Sequence, residues 1–388
     1  MNKKAKSRAE LCSGTGKKIL VAMSGGVDSS VAAALLLRQG YEVAGAFMVN
    51  YDSADDGRFG ECWRNDYRDA ARVAAKLGIP LFKLDFKKEY EKKVLAYMFA
   101  EYKKGRTPNP DVLCNKFIKF GVWLEKAKEL GFDKLATGHY ARLGREIRSS
   151  KHEIRNKLQN PNYKLLEAKD KDKDQTYFLH QLNQEQLKYV LFPIGDYKKT
   201  EVRKIAKKFN LPTADRAESM GICFVGEVPM KEFLSKKIKL KKGDIISSTG
   251  EILGKHDGLA FYTIGQRHGF KAVLEKKGAE SRPLYIVDKN YNTNELVVGF
   301  ENDPLFYKKQ AEAGEINWIS GQKPKLPLKC QVRLRHRQPL QNVQLFEKNG
   351  KISIHFTNKQ KAVTPGQFAV FYLPHGKNSV CLGGGVIK

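Results

Sequence analysis

The chain has 388 residues, of which 41% are hydrophobic, enough for two or three domains with real cores. Lys and Arg number 70 against 42 Asp and Glu, a formal charge of +28 that suits a polyanionic partner, nucleic acid ahead of a membrane face. No apolar run reaches transmembrane length, residues 1–17 lack the apolar centre of a secretory signal, and six scattered cysteines without C-x-x-C argue against a zinc ribbon or a secreted disulfide scaffold. The expectation is a cytoplasmic protein with no membrane partner.

Residues 18–23 form a short apolar run, the pattern of a buried parallel strand. Ser24-Gly25-Gly26-Val27-Asp28-Ser29-Ser30 is small and flexible, and residues 31–37 then read as a buried helix stopped by Gly40. A strand, a tight glycine turn and a helix start together make an anion site, because backbone N–H groups and the helix dipole converge there. Gly25 and Gly26 would let the backbone approach a phosphate, and Ser24, Ser29 and Ser30 add hydroxyl donors. The loop is neither a G-K-[ST] phosphate loop nor a G-x-G-x-x-G turn.

Residues 41–48 predict a second strand, 65–77 an amphipathic helix closed by Gly78, and 80–86 a third strand. Apolar residues at 90, 94, 97 and 98 give 88–102 helical spacing; 116–130 is another helix and 134–137 a strand. This alternation predicts a parallel α/β sheet with ligands at the carboxyl ends of its strands, where Met48 and Gly138-His139-Tyr140 fall. Residues 145–162 read as a basic surface insertion, and 163–166 return to the sheet edge. Helices are expected over 175–191 and 200–210, the second capped by Thr200. Beyond Gly226 short strand-like runs take over, at 243–252, 284–288 and 295–300. Runs at 330–337, 343–347, 352–356, 368–373 and 380–387 then suggest a small β-barrel. The expected division is a basic tail 1–17, a catalytic domain 18–230, a central β-rich domain 231–305 and a C-terminal barrel 306–388.

Two cysteines have unusual settings. Cys114 ends Asn109-Pro110-Asp111-Val112-Leu113-Cys114, immediately before the predicted helix, where a helix start favours thiolate. Cys223 lies in Ser219-Met220-Gly221-Ile222-Cys223-Phe224, where Gly221 permits close backbone packing. Each, taken alone, also reads as an inert buried thiol. In 331–337, strand alternation puts Arg333, Arg335 and Arg337 on one face, for phosphate contact or merely for solvent. The charge run 169–174 reads equally as a solvated surface.

The motif S-G-G-V-D-S resembles the pyrophosphate loop of N-type ATP pyrophosphatases, which split ATP between the α and β phosphates and adenylate a carbonyl oxygen. N-P-D-x-x-C, A-T-G-H-Y-A-R, K-D-Q-x-Y-F-L, S-x-G-I-C-F, T-I-G-Q-R-H-G and P-G-Q follow it in order. From about residue 18 to the end, the chain thus resembles the bacterial tRNA-specific 2-thiouridylase family. The resemblance implies an α/β, parallel-sheet ATP pyrophosphatase (adenine nucleotide alpha hydrolase-like) domain, a small central domain and a C-terminal β-barrel. It implies ATP held by Ala22, Met23, Ser24, Gly25, Gly26, Val27, Asp28 and Ser29 with Met48 and Gly138, and Mg²⁺ screening the phosphates. ATP would adenylate O2 of the wobble uridine of certain tRNAs. Cys223 would carry a persulfide from a cysteine desulfurase or sulfur-relay protein, and Cys114 would release sulfide from it or form a disulfide with Cys223. Asp111 would act as acid/base or hold the flipped base, with Asn109 and Pro110 reading it. His139, Lys173, Asp174, Gln175, Arg335, His336 and Gln367 would meet the RNA.

The departures are the basic tail, the lengthened 145–162 segment, and Arg335-His336 where the family often has Arg-Tyr. Three rival readings stand beside this one. Another adenylating ligase on the same loop, such as a lysidine synthetase, would need neither cysteine. A non-enzymatic RNA-binding protein would not need the intact S-G-G-V-D-S. An iron–sulfur cluster on Asp111, Cys114 and Cys223 would be visible in the absorption spectrum. No other metal ligands are expected.

Overall fold

The computed structural model describes residues 16–51, 62–146, 162–217, 230–235, 237–239, 241–272 and 282–388. All of β1 (Lys18–Ala22) after its first residue is buried; Ile19 and Val21 enter one apolar layer, Leu20 and Ala22 the other. A strand covered on both faces belongs inside a parallel sheet. It leads to α1 (Val27–Arg38), β2 (Glu42–Val49), α2 (Cys62–Leu77) and β3 (Leu81–Asp85). α3 (Lys87–Tyr90) continues through a π-helical stretch, Glu91–Leu95, into α4 (Ala96–Lys103). α5 (Pro110–Leu113) likewise runs into π-helical Cys114–Val122, is kinked at Gly121, where φ is −101° and ψ −105°, and continues as α6 (Trp123–Glu129), ahead of β4 (Lys134–Thr137). Then come the hairpin β5 (Ala141–Glu146) and β6 (Asn162–Glu167), α7 (Thr176–Leu179), α8 (Gln184–Lys188), β7 (Val190–Leu191) and α9 (Lys199–Lys208). The sheet runs β3-β2-β1-β4-β7, all parallel, and its order reverses between β1 and β4. That reversal opens a crevice at the carboxyl ends.

Three sequence expectations change here. The helix expected over 175–191 is two short helices: Asn183 caps α8, exchanging hydrogen bonds with Gln186 at 2.9 and 3.0 Å, and residues 190–191 become the fifth strand. α9 starts before Thr200, and the Lys198 N–H is satisfied by the Glu201 carboxylate at 2.6 Å, so Thr200 is not the cap. Residues 163–166 do reach a sheet edge, but it is that of the C-terminal barrel: Leu165 and Leu166 pair with Cys381 and Val380. Apolar content marked the strand without saying which sheet would receive it.

After α10 (Met230–Ser235), a four-stranded sheet is ordered β10-β11-β8-β9, from β8 (Gly243–Ser247), β9 (Ile252–His256), β10 (Tyr285–Asn290) and β11 (Glu295–Gly299). The barrel uses β12 (Tyr307–Trp318), β13 (Leu328–Arg333), β14 (Gln341–Lys348), β15 (Lys351–Lys361), β16 (Phe368–His375) and β17 (Asn378–Ile387). It closes when β12 pairs with both β15 and β17. β12 escaped the sequence reading because Tyr-Lys-Lys-Gln-Ala-Glu lacks apolar alternation; its pairing on both edges holds it instead. Among the described residues, no helix is long and apolar enough to cross a membrane.

The expected arginine face is not formed. β13 ends at Arg333, the chain turns, and Arg337 sits at φ 62°, so alternation stops before Arg335. Arg333 is buried and donates to Glu167 and Asp174, each at 2.8 Å, with its guanidinium 5.2 Å from the Tyr372 ring centre. This triad welds the barrel to the first domain. Burial alone would push the Glu167 carboxyl up, but Lys171 and Arg333 outweigh it and hold it below its ordinary 4.5. Its stabilisation is therefore complete above that value and lost as pH falls beneath it. Arg333→Met strands two buried carboxylates and should cost about 3–5 kcal/mol in urea denaturation at pH 7. The deficit should shrink as acid protonates Glu167, which the pairing holds below 4.5, and Asp174, which burial already holds above its ordinary value. A loss under about 1 kcal/mol at pH 7 would make the triad dispensable.

Candidate functional site

The loop after β1 lies in the crevice at the sheet reversal. Gly25 adopts φ 77°, and a Cβ there would sit 2.3 Å from the Asp66 carbonyl oxygen, so glycine is required. Arg216 donates to the Gly25 carbonyl at 2.7 Å and pairs with Asp66 and with Asp69, clamping the loop to α2. Ser29 and Ser30 hydroxyls both donate to the Gly26 carbonyl, at 3.1 and 2.8 Å, and Thr213 donates to Ser30 at 3.0 Å. Ser24 is left exposed at the mouth. Ala22, Met23, Val27 and Met48 are buried. Gly138 follows β4, and a Cβ on it would lie 2.6 Å from the Ser29 nitrogen. The carboxyl end of β4 is thus pressed onto the start of α1.

Asp28, in the first turn of α1, is gripped by Lys199, which sequence reasoning did not single out, and by Tyr140, which it placed at a strand end without a partner. Lys199 donates to both carboxylate oxygens at 2.7 Å, and the Tyr140 hydroxyl donates to one at 2.9 Å. Lys199 is the first residue of α9, where the helix dipole disfavours a cation. A lysine at a helix start was the available signal. Two helix N-termini and a lysine therefore converge on one carboxylate, an arrangement able to hold a polyphosphate.

The second half of the site is the start of α5. Asn109 caps it, accepting from the Val112 N–H at 3.3 Å, and Pro110 occupies the first helical position. The helix therefore begins at Pro110, not at residue 116 as the sequence suggested, and Cys114 lies one turn inside it with no exposed surface. The dipole fades beyond the first turn, so Asp111, half-buried in that turn, is better placed for it than Cys114. Cys223 lies outside the described residues. Among the described residues no group of three His, Cys, Asp or Glu is arranged to hold a metal.

The segment feeding α5 is held from elsewhere. The Gly105 carbonyl accepts from Lys289 at 3.1 Å and Tyr291 at 2.7 Å, both on or beside β10. The Thr107 N–H donates to the Pro365 carbonyl at 3.1 Å, and its hydroxyl meets that of Thr263 at 3.2 Å. Gln367 donates to the Thr107 and Pro108 carbonyls at 2.9 and 3.4 Å and accepts from Asn109 at 3.4 Å. β4's extension bridges the two halves: Tyr140 reaches Asp28, while the His139 ring lies 5.8 Å from Phe120, in the helix that carries Cys114.

Several residues expected at the RNA surface have inward tasks. His139 is buried between Phe120 and Phe192 and bonds Thr137 at 2.7 Å; burial, with Lys119 nearby, holds its imidazole well below 6.5 and therefore neutral. Asp174 is buried, accepting from Ala168, Thr176 and Arg333, and Gln175 accepts from the Tyr140 N–H. These are load paths between elements. Lys173 is half-buried and Arg335 exposed. His336 packs 4.5 Å from the Phe178 ring; burial, with Arg337, Arg333 and Lys173 around it, lowers its pKa to about 4. It presents a neutral ring.

Three family models match the chain: "tRNA methyl transferase HUP domain" over residues 17–227, "tRNA methyl transferase PRC-barrel domain" over 231–300 and "Aminomethyltransferase beta-barrel domain" over 308–387. The chain is 46% identical to the tRNA-specific 2-thiouridylase MnmA of Geobacillus thermodenitrificans, covering 95% of this chain and 94% of that one. It is 45% identical to the tRNA-specific 2-thiouridylase MnmA of Listeria monocytogenes, with the same coverage, and 44% identical to that of Streptococcus mutans, covering 95% of each.

Gln367→Leu removes the amide that satisfies two carbonyls of the 107–109 segment. Each lost hydrogen bond is worth about 1 kcal/mol, so hydrogen exchange at the Thr107 amide should quicken about 5–30-fold. The global melting temperature should move by only a few degrees. Unchanged exchange at Thr107 would show that the barrel does not position this segment.

Proposed function

Since this chain belongs to the tRNA-specific 2-thiouridylase family and is a tRNA-uridine 2-thiolating enzyme, we propose that it adenylates the wobble uridine and transfers sulfur from a cysteine persulfide. Its HUP-type domain implies ATP use. The observation that carries the reading is the Gly138-His139-Tyr140 bridge, which ties the Asp28 loop to the helix bearing Cys114. One end of the sheet can then serve both the nucleotide and the base.

In this reading the Ser24–Ser29 loop and the start of α1 hold the phosphates, with backbone from Met48 and Gly138 alongside. Lys199 turns from Asp28 toward the phosphates as they arrive, since a polyphosphate carries more charge than one carboxylate. Asp28 is the residue that would hold Mg²⁺, which would screen the phosphate charge, once Lys199 lets go. O2 of the uracil attacks the α-phosphate, and pyrophosphate leaves. The terminal sulfur of a Cys223 persulfide then attacks C2, and AMP departs with O2. Cys114 thiolate attacks the Cys223 sulfur, forms a disulfide, and expels the thiolated base with the bonding pair. An external dithiol restores both cysteines. Cys114 has no exposed surface, which supports Cys223 as the group loaded by a cysteine desulfurase or relay protein. Asp111, in the first turn beside Asn109 and Pro110, holds the flipped base or moves its proton. Such chemistry belongs in the reducing cytoplasm.

With tRNA present, ATP should yield AMP and pyrophosphate, and Asp28→Asn should lower kcat at least about 100-fold by removing the carboxylate charge that would position the phosphates and their cation. ADP as the main product would overturn the assignment.

The cysteines should separate cleanly. Cys223→Ser should accumulate adenylated tRNA and take up no labelled sulfur from a persulfide donor. Cys114→Ser should take up sulfur yet release 2-thiouridine poorly. Label found on Cys114 in the Cys223→Ser protein would reverse the roles.

A further inference from the structure

The motif Thr263-Ile264-Gly265-Gln266-Arg267-His268-Gly269 has no part in the chemistry above, yet its structure is built to present two side chains. Gly265 and Gly269 bracket it at φ 91° and 89°, a backbone that reverses direction twice within five residues. Gln266 is its internal brace: its side chain accepts from the Thr263 N–H at 3.0 Å and donates to the His268 carbonyl at 2.6 Å. Its backbone is tied to β10, since the Gly265 N–H donates to the Ile286 carbonyl at 2.8 Å and the Ile286 N–H to the Gln266 carbonyl at 3.0 Å. On one side Phe270 packs into the central domain's core, and on the other Thr263 is bonded to Thr107 of the segment feeding α5. Thr364, in the barrel, donates to the Ile264 carbonyl at 3.4 Å. Arg267 and His268 are exposed at the tip, and Lys271 and Arg282 are exposed nearby in the chain. Among the described residues none of these four makes an ion pair.

A rigid loop that holds an unpaired arginine in water, in a chain with 70 basic and 42 acidic residues, is complementary to a phosphate backbone. Its placement is specific. Arg267 is four residues from Thr263, so its Cα lies within about 15 Å of it, and Thr263 touches the residue two before Asn109. A phosphate a few nucleotides from the base presented to Asn109 and Asp111 falls within that reach. We propose that the Arg267-His268 tip docks the sugar–phosphate backbone of the tRNA anticodon arm and, through Thr263 and Thr107, sets its distance from the reactive helix start. This rests on the reading that the base is presented at Asn109 to Asp111. The test is separable, because it measures RNA binding without ATP or sulfur.

Binding of an anticodon-arm RNA to the full chain is measured across a salt series for wild type, Arg267→Ala, Arg267→Lys and Arg267→Glu. Arg267→Ala should weaken binding about 5–10-fold at low salt and flatten the plot of log K against log salt by about 0.9 if one phosphate contact is lost. Arg267→Lys should keep the wild-type slope, and Arg267→Glu should weaken binding further than alanine. Lys76→Ala, at the far end of α2 and exposed, should leave the slope unchanged. Equal slope and affinity in wild type, Arg267→Ala and Arg267→Glu would overturn the proposal. So would intact RNA binding with slowed sulfur uptake from the persulfide donor protein, which would assign the tip to that protein.

Discussion

The site depends on how five residues, Gly105 to Asn109, satisfy their backbone. They belong to neither a helix nor a sheet, so their carbonyls need partners from elsewhere or burial becomes costly. Lys289 and Tyr291 from the central domain, and Gln367 from the barrel, supply them. The central domain and the barrel therefore hold the segment that leads into the helix bearing Asp111 and Cys114. A three-domain chain is the means by which one irregular segment is held still.

The loop after β1 shows the same economy in charge. Lys199 opens a helix and Asp28 sits in the first turn of another, so the two dipoles oppose the lysine and favour the carboxylate. Their pairing satisfies both while no anion competes. Arg216 does the corresponding task on the far side, holding the Gly25 carbonyl and two aspartates of α2. Burial pushes the Asp66 carboxyl above its ordinary value despite that arginine, although the pair is only half-buried.

Much of the fold was legible because its signals are local. Apolar runs, glycine stops and the change of texture after Gly226 required only neighbours along the chain to interpret. The reading failed where a residue's task is set by something remote. Arg333 read as a surface cation by alternation, but it answers two carboxylates, 166 and 159 residues away. Asp174 read as part of a solvated run and is an inner member of the same triad. β12 has no apolar alternation, and only its two pairing edges make it a strand.

The sequence alone determined the strand–glycine–helix turn, the order of the motifs and the two cysteines worth testing, because each rests on residues close in sequence whose geometry local sterics dictate. The tertiary structure decided that Lys199 and Tyr140 hold Asp28, that Cys114 lies one turn inside its helix, and that His139 faces inward. It also decided that Gln367 spends its amide on a segment 260 residues earlier. Buried polar groups take whichever partner the closed fold brings within about 3 Å, and one-dimensional spacing carries no record of that choice.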